Sequence, residues 1–351
     1  MNQILVNRRR FLQAVVMGIA ATSIPNLHKL GATGTASSEE EIEILCGTLY
    51  AMGQGWLEIH DGENYKRLQV SENTSIWKGF ETSCSSLTKG DDIMVKVLKR
   101  DIALRIWANL GRAQGVITGF RKSGFVLKTI RYCSVDKEIF VETLPHTLWQ
   151  GGQLYPSPTS GKAENGNIFV DVIGEVIPEG LRASLIYLVP QTDERFENFP
   201  EQEISITPSG PYCTYSYAGY ASWFNCPTGA GRCGTCNTSR SDQCAWPALD
   251  TCGSCSWNCC DCSKGCKNQI YLWCGKDVKV IDLCQNKSRI VYIADCGPCQ
   301  NCSGFCSRKC NDCKGYVTPV IDLTRPTFAY FYDPATRGCF SCRVEVTVLC
   351  P

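Results

Sequence analysis

The chain has 351 residues, of which 20% are charged and 44% hydrophobic, and its formal net charge is +1. This length is enough for two or three domains with ordinary cores, and the composition excludes a disordered or fibrous protein. The first 36 residues carry four basic side chains and no acidic one, so the remainder has a slight acidic excess. That charge balance excludes nucleic acid and anionic membrane surfaces as expected partners.

The N-terminal segment predicts export. Asn7-Arg8-Arg9-Arg10-Phe11-Leu12-Gln13 resembles the twin-arginine translocation motif, and a mildly apolar run, Ala14 to Ala21, follows it. This run is too short for a stable membrane span. Residues 1–36 are therefore predicted to be a twin-arginine signal peptide, cleaved near Gly34-Thr35-Ala36, with an uncleaved anchor as the alternative. The expected location is the periplasm, the cell wall or the extracellular space.

Two stretches repeat one another at a period of about 70 residues. Each consists of short alternating strands bounded by Gly, Asn or Asp, which predicts a small five-stranded β unit. The units span residues 44–111 and 113–190, and both resemble the OB-like barrels of exported bacterial proteins. Such modules serve as spacers or binding platforms. Trp77 and Trp149 occupy matching positions in the two units. Their indole rings are expected either to pack in the core or at strand ends, or to stack on a sugar ring.

A linker is predicted at residues 191–211, because this segment is acidic and contains several prolines. The pattern changes at Tyr212, where a cysteine-rich domain, residues 212–351, begins. It contains 22 of the 25 cysteines. In an exported protein this density predicts a disulfide scaffold, and the even number permits full pairing.

Four motifs of this last domain occur in a recognisable order. They are Ala221-Ser222-Trp223, Gly275 to Leu283, Ile293-Ala294-Asp295-Cys296-Gly297-Pro298 and Val320-Ile321-Asp322-Leu323-Thr324. Together they resemble the double-psi β-barrel shared by rare lipoprotein A, barwin and the expansins, over about 140 residues. The expected fold is all-β: two OB-like barrel repeats followed by a cysteine-rich double-psi barrel.

The resemblance implies a site. Asp295 matches the aspartate of the Asp-x-Gly-Pro turn, which belongs to the glycan-cleaving site of rare lipoprotein A. Asp322 matches the aspartate of the Asp-Leu-Ser motif that expansins require, and Ser222 falls where they place a groove threonine. Rare lipoprotein A enzymes also use a Glu and a His, whereas residues 238–243 offer only Asp242 and the domain contains no His. We therefore expect glycan binding, with Asp295 and Asp322 as candidate catalytic residues if a bond is cleaved.

Further residues are expected to contact a substrate. Thr324 ends the Asp322 motif, and Trp223 and Tyr292 offer flat aromatic faces that suit sugar rings. The alternative is structural: Trp223 and Tyr292 would be core residues, Asp322 would cap a helix that begins near Thr324-Arg325-Pro326, and Asp295 would brace a turn.

No cofactor is predicted, although structural zinc is an alternative. Six Cys-x-x-Cys pairs have zinc-ligand spacing, and all-cysteine zinc sites need no His. These pairs are spread over strand ends and insertions, which favours disulfides. Export of an already folded chain leaves open whether metal is loaded before export or disulfides form in the cytoplasm or afterwards.

Three functions remain open from the sequence. The first is expansin-like binding or loosening of a cell-envelope or extracellular polysaccharide. The second is a peptidoglycan lytic transglycosylase with Asp295 as acid and base, which needs only one such residue because a sugar hydroxyl is the nucleophile. The third is a structural envelope protein without glycan activity.

Overall fold

The computed structural model describes residues 42–129, 137–150, 168–189, 204–226, 231, 233–247, 270–297 and 320–350. The predicted signal peptide at 1–36 lies outside these residues. Within them the protein is an all-β structure of closed barrels, as predicted. None of the described helices is both long and apolar enough to cross a membrane.

The first barrel has alternating strands whose inward side chains form its core. In β2, for example, Leu57 and Ile59 are buried while their neighbours are partly exposed. The strands are β1 (Ile42–Gly53), β2 (Trp56–His60), β3 (Tyr65–Gln69), β4 (Ser75–Trp77), β5 (Glu81–Thr82), β6 (Asp92–Leu98) and β7 (Ile102–Ala108). They follow the order β3-β2-β1-β6-β7-β4-β5, and a parallel pairing between β3 and β7 closes the ring. A short 3-10 turn, Cys84–Ser86, lies between β5 and β6.

The second barrel repeats this topology. Its strands are β8 (Leu110–Arg121), β9 (Gly124–Thr129), β10 (Lys137–Gln150), β11 (Phe169–Ile177) and β12 (Gly180–Val189). They close in the order β10-β12-β11-β8-β9, with β10 and β12 parallel and the other pairs antiparallel. Trp77 lies opposite Trp107, and Trp149 lies opposite Ile186, in corresponding parallel pairs. The prediction of two small β-barrel units is confirmed, and the first unit has two short strands, β4 and β5, besides the five of its ring.

The third barrel is a ring of six strands. Its strands are β13 (Ile204–Ser209), β14 (Tyr212–Phe224), β15 (Gln243–Trp246), β16 (Asp277–Asp282), β17 (Ser288–Cys296), β18 (Ile321–Thr324) and β19 (Cys339–Leu349). The sheet order is β13-β14-β18-β15-β17-β16-β19, and β14 also pairs with β19, which closes the ring without β13. Two of the pairs, β14 with β18 and β15 with β17, are parallel.

The strand β13 falls inside the segment predicted as a linker. Ile204–Ser209 pairs antiparallel with Tyr212–Tyr217 across a turn at Gly210, whose φ is +60°. The prolines and acidic residues suggested an extended linker, but a two-residue turn allows the adjacent residues to form a hairpin. The third barrel's sheet therefore begins before Tyr212.

The three barrels pack directly on one another. A helix, α1 (Arg325–Phe331), follows β18 and contacts β1 and β6 of the first barrel. One hydrophobic cluster contains Met94 from the first barrel, Ile173 from the second and Phe328 from the third. This shared core favours a rigid platform over a flexible spacer.

Three disulfides lie in the described part of the third barrel, which confirms the prediction of disulfide bonds and suggests an oxidising, exported environment. They are Cys213–Cys350, Cys226–Cys236 and Cys233–Cys274. The two members of the Cys233-x-x-Cys236 pair thus bond to different partners, so this pair is not a zinc clamp.

Full pairing of the cysteines does not occur. Cys244 and Cys342 are fully buried thiols, and Cys284 and Cys339 are exposed thiols. Burial raises the pKa of both Cys244 and Cys342, so both stay protonated and fill the core as small apolar groups.

Candidate functional site

Three of the predicted site residues lie in one row across neighbouring strands of the third barrel. Ser222 lies opposite Asp322, Asp322 lies opposite Ala245, and Ala245 lies opposite Asp295. Residues opposite one another project from the same face of a sheet. The Cα atoms of the two aspartates are two strand spacings apart, or roughly 10 Å, with only a methyl group between them. This row of Ser222, Asp322 and Asp295 is the candidate site.

Asp295 joins the row through a bulge in β17. Cys244 lies opposite Ile293, and the next residue, Ala245, lies opposite Asp295, so Ala294 is an extra residue in β17. In a regular ladder Ala245 would face Ala294, and Asp295 would point to the other side of the sheet. The bulge therefore turns the carboxylate of Asp295 toward that of Asp322.

Asp322 is a buried acid. Asp322 is only 3% exposed, and its carboxylate oxygen Oδ1 accepts a hydrogen bond from the hydroxyl of Ser222. Burial raises the pKa of Asp322 to about 6; the Ser222 hydrogen bond and the charge of Arg112 lower it, while the charges of Asp171 and Asp295 raise it. Near pH 6, Asp322 is thus half protonated.

Asp295 is slightly more accessible, at 8% exposure. Its Oδ1 accepts the backbone N–H of Cys296 at 2.8 Å. Gly231 lies directly against the carboxylate: a Cβ at that position would be 2.8 Å from Cγ of Asp295 and 3.0 Å from each oxygen. Gly231 also has a φ of +69°, so both its backbone and the contact require glycine.

The structure places Trp223 and Thr324 away from any open surface. Trp223 is 2% exposed, and its indole N–H donates to the carbonyl of Arg337 at 3.0 Å. Thr324 is 1% exposed, and its hydroxyl lies 2.8 Å from that of Thr327. Both side chains are engaged inside the protein.

Tyr292 is half-buried on β17. Its hydroxyl accepts a hydrogen bond from the side-chain amide of Gln243, and the guanidinium of Arg240 lies 4.8 Å from its ring centre. The ring is therefore already stacked on a cation, and it does not belong to the row formed by Ser222, Asp322 and Asp295.

The helix-capping interpretation of Asp322 does not describe its contacts. The helix α1 begins at Arg325, as predicted, and its N-cap residue is Thr324, which makes no side-chain capping bond. Asp322 lies within β18, two residues before this N-cap, and its recorded side-chain partner is Ser222.

Several residues of the site environment gave no signal in the sequence. Gly231 lies in a loop without a motif, and the bulge at Ala294 is invisible in an alternating strand pattern. Arg112 and Asp171 belong to the second barrel and are far from the third in sequence. Only their three-dimensional contacts connect them to Asp322.

Within the described ranges, no three His, Cys, Asp or Glu side chains are grouped so as to hold a metal ion. The chemistry offered by the described row is that of two carboxyl groups and a hydroxyl. One carboxyl group is protonated under mildly acidic conditions, so the row can donate a proton, accept one, or hydrogen-bond to neutral hydroxyl groups.

No protein-family model matches the chain, and no curated protein matches it. The fold defines an all-β, disulfide-containing protein of closed barrels. The row of Ser222, Asp322 and Asp295 is the feature of this fold that bears on function.

Proposed function

We propose that this is an exported protein that binds or loosens a cell-envelope or extracellular polysaccharide through its third barrel. The observation that carries the proposal is the row itself. Ser222, Asp322 and Asp295 lie in three separate strands, and the register of those strands brings them to one face. These are the residues that the expansin and rare lipoprotein A resemblance selected.

The architecture of the third barrel supports the family part of the proposal. A double-psi barrel is a closed ring of six strands, and the ring here has six, with parallel pairs at β14/β18 and β15/β17. The disulfides fit the proposed export, and a twin-arginine signal would supply the route.

Neutral sugars suit this polar row. Carboxylate and hydroxyl oxygens hydrogen-bond to the hydroxyl groups of a sugar ring without needing a charged ligand. Asp295, at 8% exposure, is the first of the two acids that a glycan would meet, since Asp322 is only 3% exposed. Gly231 lies against the carboxylate of Asp295, so the loop that carries it would border a glycan bound there.

A second candidate function is a peptidoglycan lytic transglycosylase, which the raised pKa of Asp322 favours. In that reaction an acid protonates the glycosidic oxygen as its bond to C1 breaks. A hydroxyl of the same sugar then bonds to C1 and gives its proton to the carboxylate. Asp295 is the proposed acid and base, and Asp322, whose pKa is raised by burial, is the neighbouring carboxyl group of the same row.

Sedimentation of the full chain with insoluble peptidoglycan, chitin and cellulose tests the proposal. We expect binding to at least one glycan, and Ser222→Ala and Asp295→Asn should weaken it about tenfold or more. Asp277→Asn is the matched control, because Asp277 is an exposed aspartate on β16 of the same barrel and should change nothing. Absence of binding to all three glycans would overturn the proposal and leave the structural-protein hypothesis.

Product analysis separates binding from cleavage. Anhydro-sugar products released by the wild type, but not by Asp295→Asn, would establish the transglycosylase. Binding without any such product would establish the non-covalent function.

A further inference from the structure

An ion pair of the second barrel, Arg112 with Asp171, lies beside the candidate site. Arg112 on β8 donates from Nε to Asp171 Oδ1 at 2.8 Å and from Nη2 to Asp171 Oδ2 at 2.5 Å. Both side chains are buried, at 6% and 2% exposure. The side-chain amide of Gln114 also donates to Asp171, at 3.1 Å. The pair is bidentate and held in one geometry by the second barrel.

Arg112 also reaches the third barrel. Its Nη1 donates to the backbone carbonyl of Trp223 at 2.5 Å, and its guanidinium carbon is 5.5 Å from the Trp223 ring centre. Gly338, just before β19, lies against the same pair, since a Cβ there would be 3.4 Å from Arg112 Nη2 and 3.6 Å from Asp171 Oδ2. The ion pair therefore touches the third barrel at the end of β14 and the start of β19.

This contact lies next to the candidate site in the chain. Trp223 follows Ser222, the residue that hydrogen-bonds Asp322, and Cys339 lies opposite Ser222 on β19. Fixing the carbonyl of Trp223 fixes the backbone from which the Ser222 hydroxyl points. Arg112 can therefore influence Asp322 in two ways. It holds the backbone next to Ser222, which hydrogen-bonds Asp322, and its positive charge lowers the pKa of Asp322.

We propose that Arg112, held beside Ser222 by Asp171 and by the Trp223 carbonyl, is an electrostatic positioning residue for the Ser222–Asp322 pair, so that the second barrel completes the site. Asp171 holds Arg112 in place and offsets its charge. The inference rests on the proposed function only for what the site does with a glycan; the electrostatic coupling to Asp322 is independent of any ligand.

Other groups surround Asp322, and they define its charge environment. The side chains that act on it through a hydrogen bond or through charge are Ser222 on β14, Asp295 on β17, Arg112 on β8 and Asp171 on β11, and the charge of Asp322 acts in turn on the buried thiol of Cys244 on β15. Cys244 is a protonated thiol and Ser222 is neutral, so among the described residues the charges that act on Asp322 are those of Arg112, Asp171 and Asp295.

A purely structural ion pair and an electrostatic partner of Asp322 predict different results. If the pair only holds the barrels together, removing either partner should loosen the same interface and disturb Asp322 in the same direction. If the pair acts on Asp322 electrostatically, removing the cation and removing the anion should have opposite effects. This difference makes the two partners internal controls for each other.

The test is a carbon-13 NMR titration of the aspartate carboxyl groups in the full chain without glycan. The Asp322 signal is assigned by its loss in Asp322→Asn. We expect Arg112→Met to raise the pKa of Asp322, and Asp171→Asn to lower it, each by about one pH unit. Arg182→Met is the control, because Arg182 also makes a double ion pair within the second barrel, with Glu142 and Glu175, and should leave Asp322 unchanged.

If Arg112→Met does not fold, Arg112→Lys and Asp171→Asn decide the matter. Lysine keeps the charge, so Arg112→Lys should leave the pKa of Asp322 near its wild-type value while Asp171→Asn lowers it. Unchanged values in both Arg112→Met and Asp171→Asn, or shifts in one direction, would overturn the proposal. Failure of glycan binding would leave this titration interpretable, so the two proposals fail separately.

Discussion

Arg325 of the third barrel donates from Nη2 to the carboxylate of Asp92 in the first barrel, at 2.8 Å, and from Nη1 to the carbonyl of Leu110 at 2.5 Å. Arg325 is the first residue of α1, and its side chain is only 5% exposed, whereas that of Asp92 is 56% exposed. The hydrogen bond to the Leu110 carbonyl is buried, while the ion pair with Asp92 is partly in water.

This asymmetry predicts unequal effects of the two partners. Arg325→Met should lower the free energy of unfolding by about 1–3 kcal/mol, because it leaves the buried Leu110 carbonyl without this donor. Asp92→Asn should cost less than about 1 kcal/mol, because solvent screens the exposed partner. Urea denaturation of both variants checks the prediction. Equal losses would mean that the ion pair, rather than the hydrogen bond to Leu110, holds α1 to the first barrel.

The buried acid Asp322 predicts a pH-dependent stability. Its pKa is raised from 3.8 to about 6 in the folded chain, so the folded state holds this proton more tightly than the unfolded state. The resulting stabilisation is fully present below about pH 4 and is lost as the pH rises through about 6. Its size is on the order of 3 kcal/mol at most.

Asp322→Asn should therefore be more stable than the wild type at pH 7.5 and show little gain at pH 4.5. Asparagine stays neutral at both values and still accepts from the Ser222 hydroxyl. Thermal denaturation at the two pH values measures the difference, with Asp277→Asn as the exposed control. A gain of the same size at both pH values would show that burial of charge is not the cause.

The Cys213–Cys350 disulfide predicts a large contribution to the third barrel. It joins residues 137 positions apart, at the start of β14 and just beyond the end of β19. Closing so long a loop restricts the unfolded chain, and losing such a bond typically costs about 2–5 kcal/mol. The double variant Cys213→Ala with Cys350→Ala leaves no new thiol and should show this loss in urea denaturation.

A cysteine outside the disulfides provides the comparison. Cys284 is an exposed thiol, so Cys284→Ala should change the stability by less than about 0.5 kcal/mol. If the double variant behaved like Cys284→Ala, the disulfide would not be a main constraint on the third barrel.

Local patterns in the sequence were sufficient to predict the β-strand content of the first two barrels. The predicted unit 113–190, for example, contains the strands β9 (Gly124–Thr129) and β12 (Gly180–Val189). The alternation of apolar and polar residues between glycines is a short-range signal, and it repeats in both barrels. The helix at Arg325 was likewise indicated by the proline at its first turn.

The parts that escaped prediction depend on long-range contacts. Arg112 and Trp223 are 111 residues apart, and no local pattern indicates that one will donate to the other. The even number of cysteines gave no sign that Cys244 and Cys342 would remain thiols, because their burial is decided by the packing of strands distant in sequence. Asp295 and Asp322 were selected by family resemblance, while their alignment in one row depends on a bulge that the sequence does not reveal.

A substitution at Gly231 tests whether the close contact between Gly231 and the carboxylate of Asp295 matters for glycan binding. Gly231→Ala places a Cβ 2.8 Å from Cγ of Asp295, so either the loop or the carboxylate must shift. We expect a loss of glycan binding of about tenfold, together with a decrease in stability of about 1–3 kcal/mol from the left-handed backbone and the collision.

Gly234→Ala is a close control for this variant. Gly234 has a φ of +67°, nearly that of Gly231, but a Cβ there would meet nothing within 4 Å. Both variants therefore carry the same backbone strain, and only Gly231→Ala also disturbs Asp295. Sedimentation with glycan and urea denaturation of the two variants should show a similar stability loss from strain, with the binding defect confined to Gly231→Ala. Equal binding by both variants would mean that the position of the Asp295 carboxylate does not matter for glycan recognition.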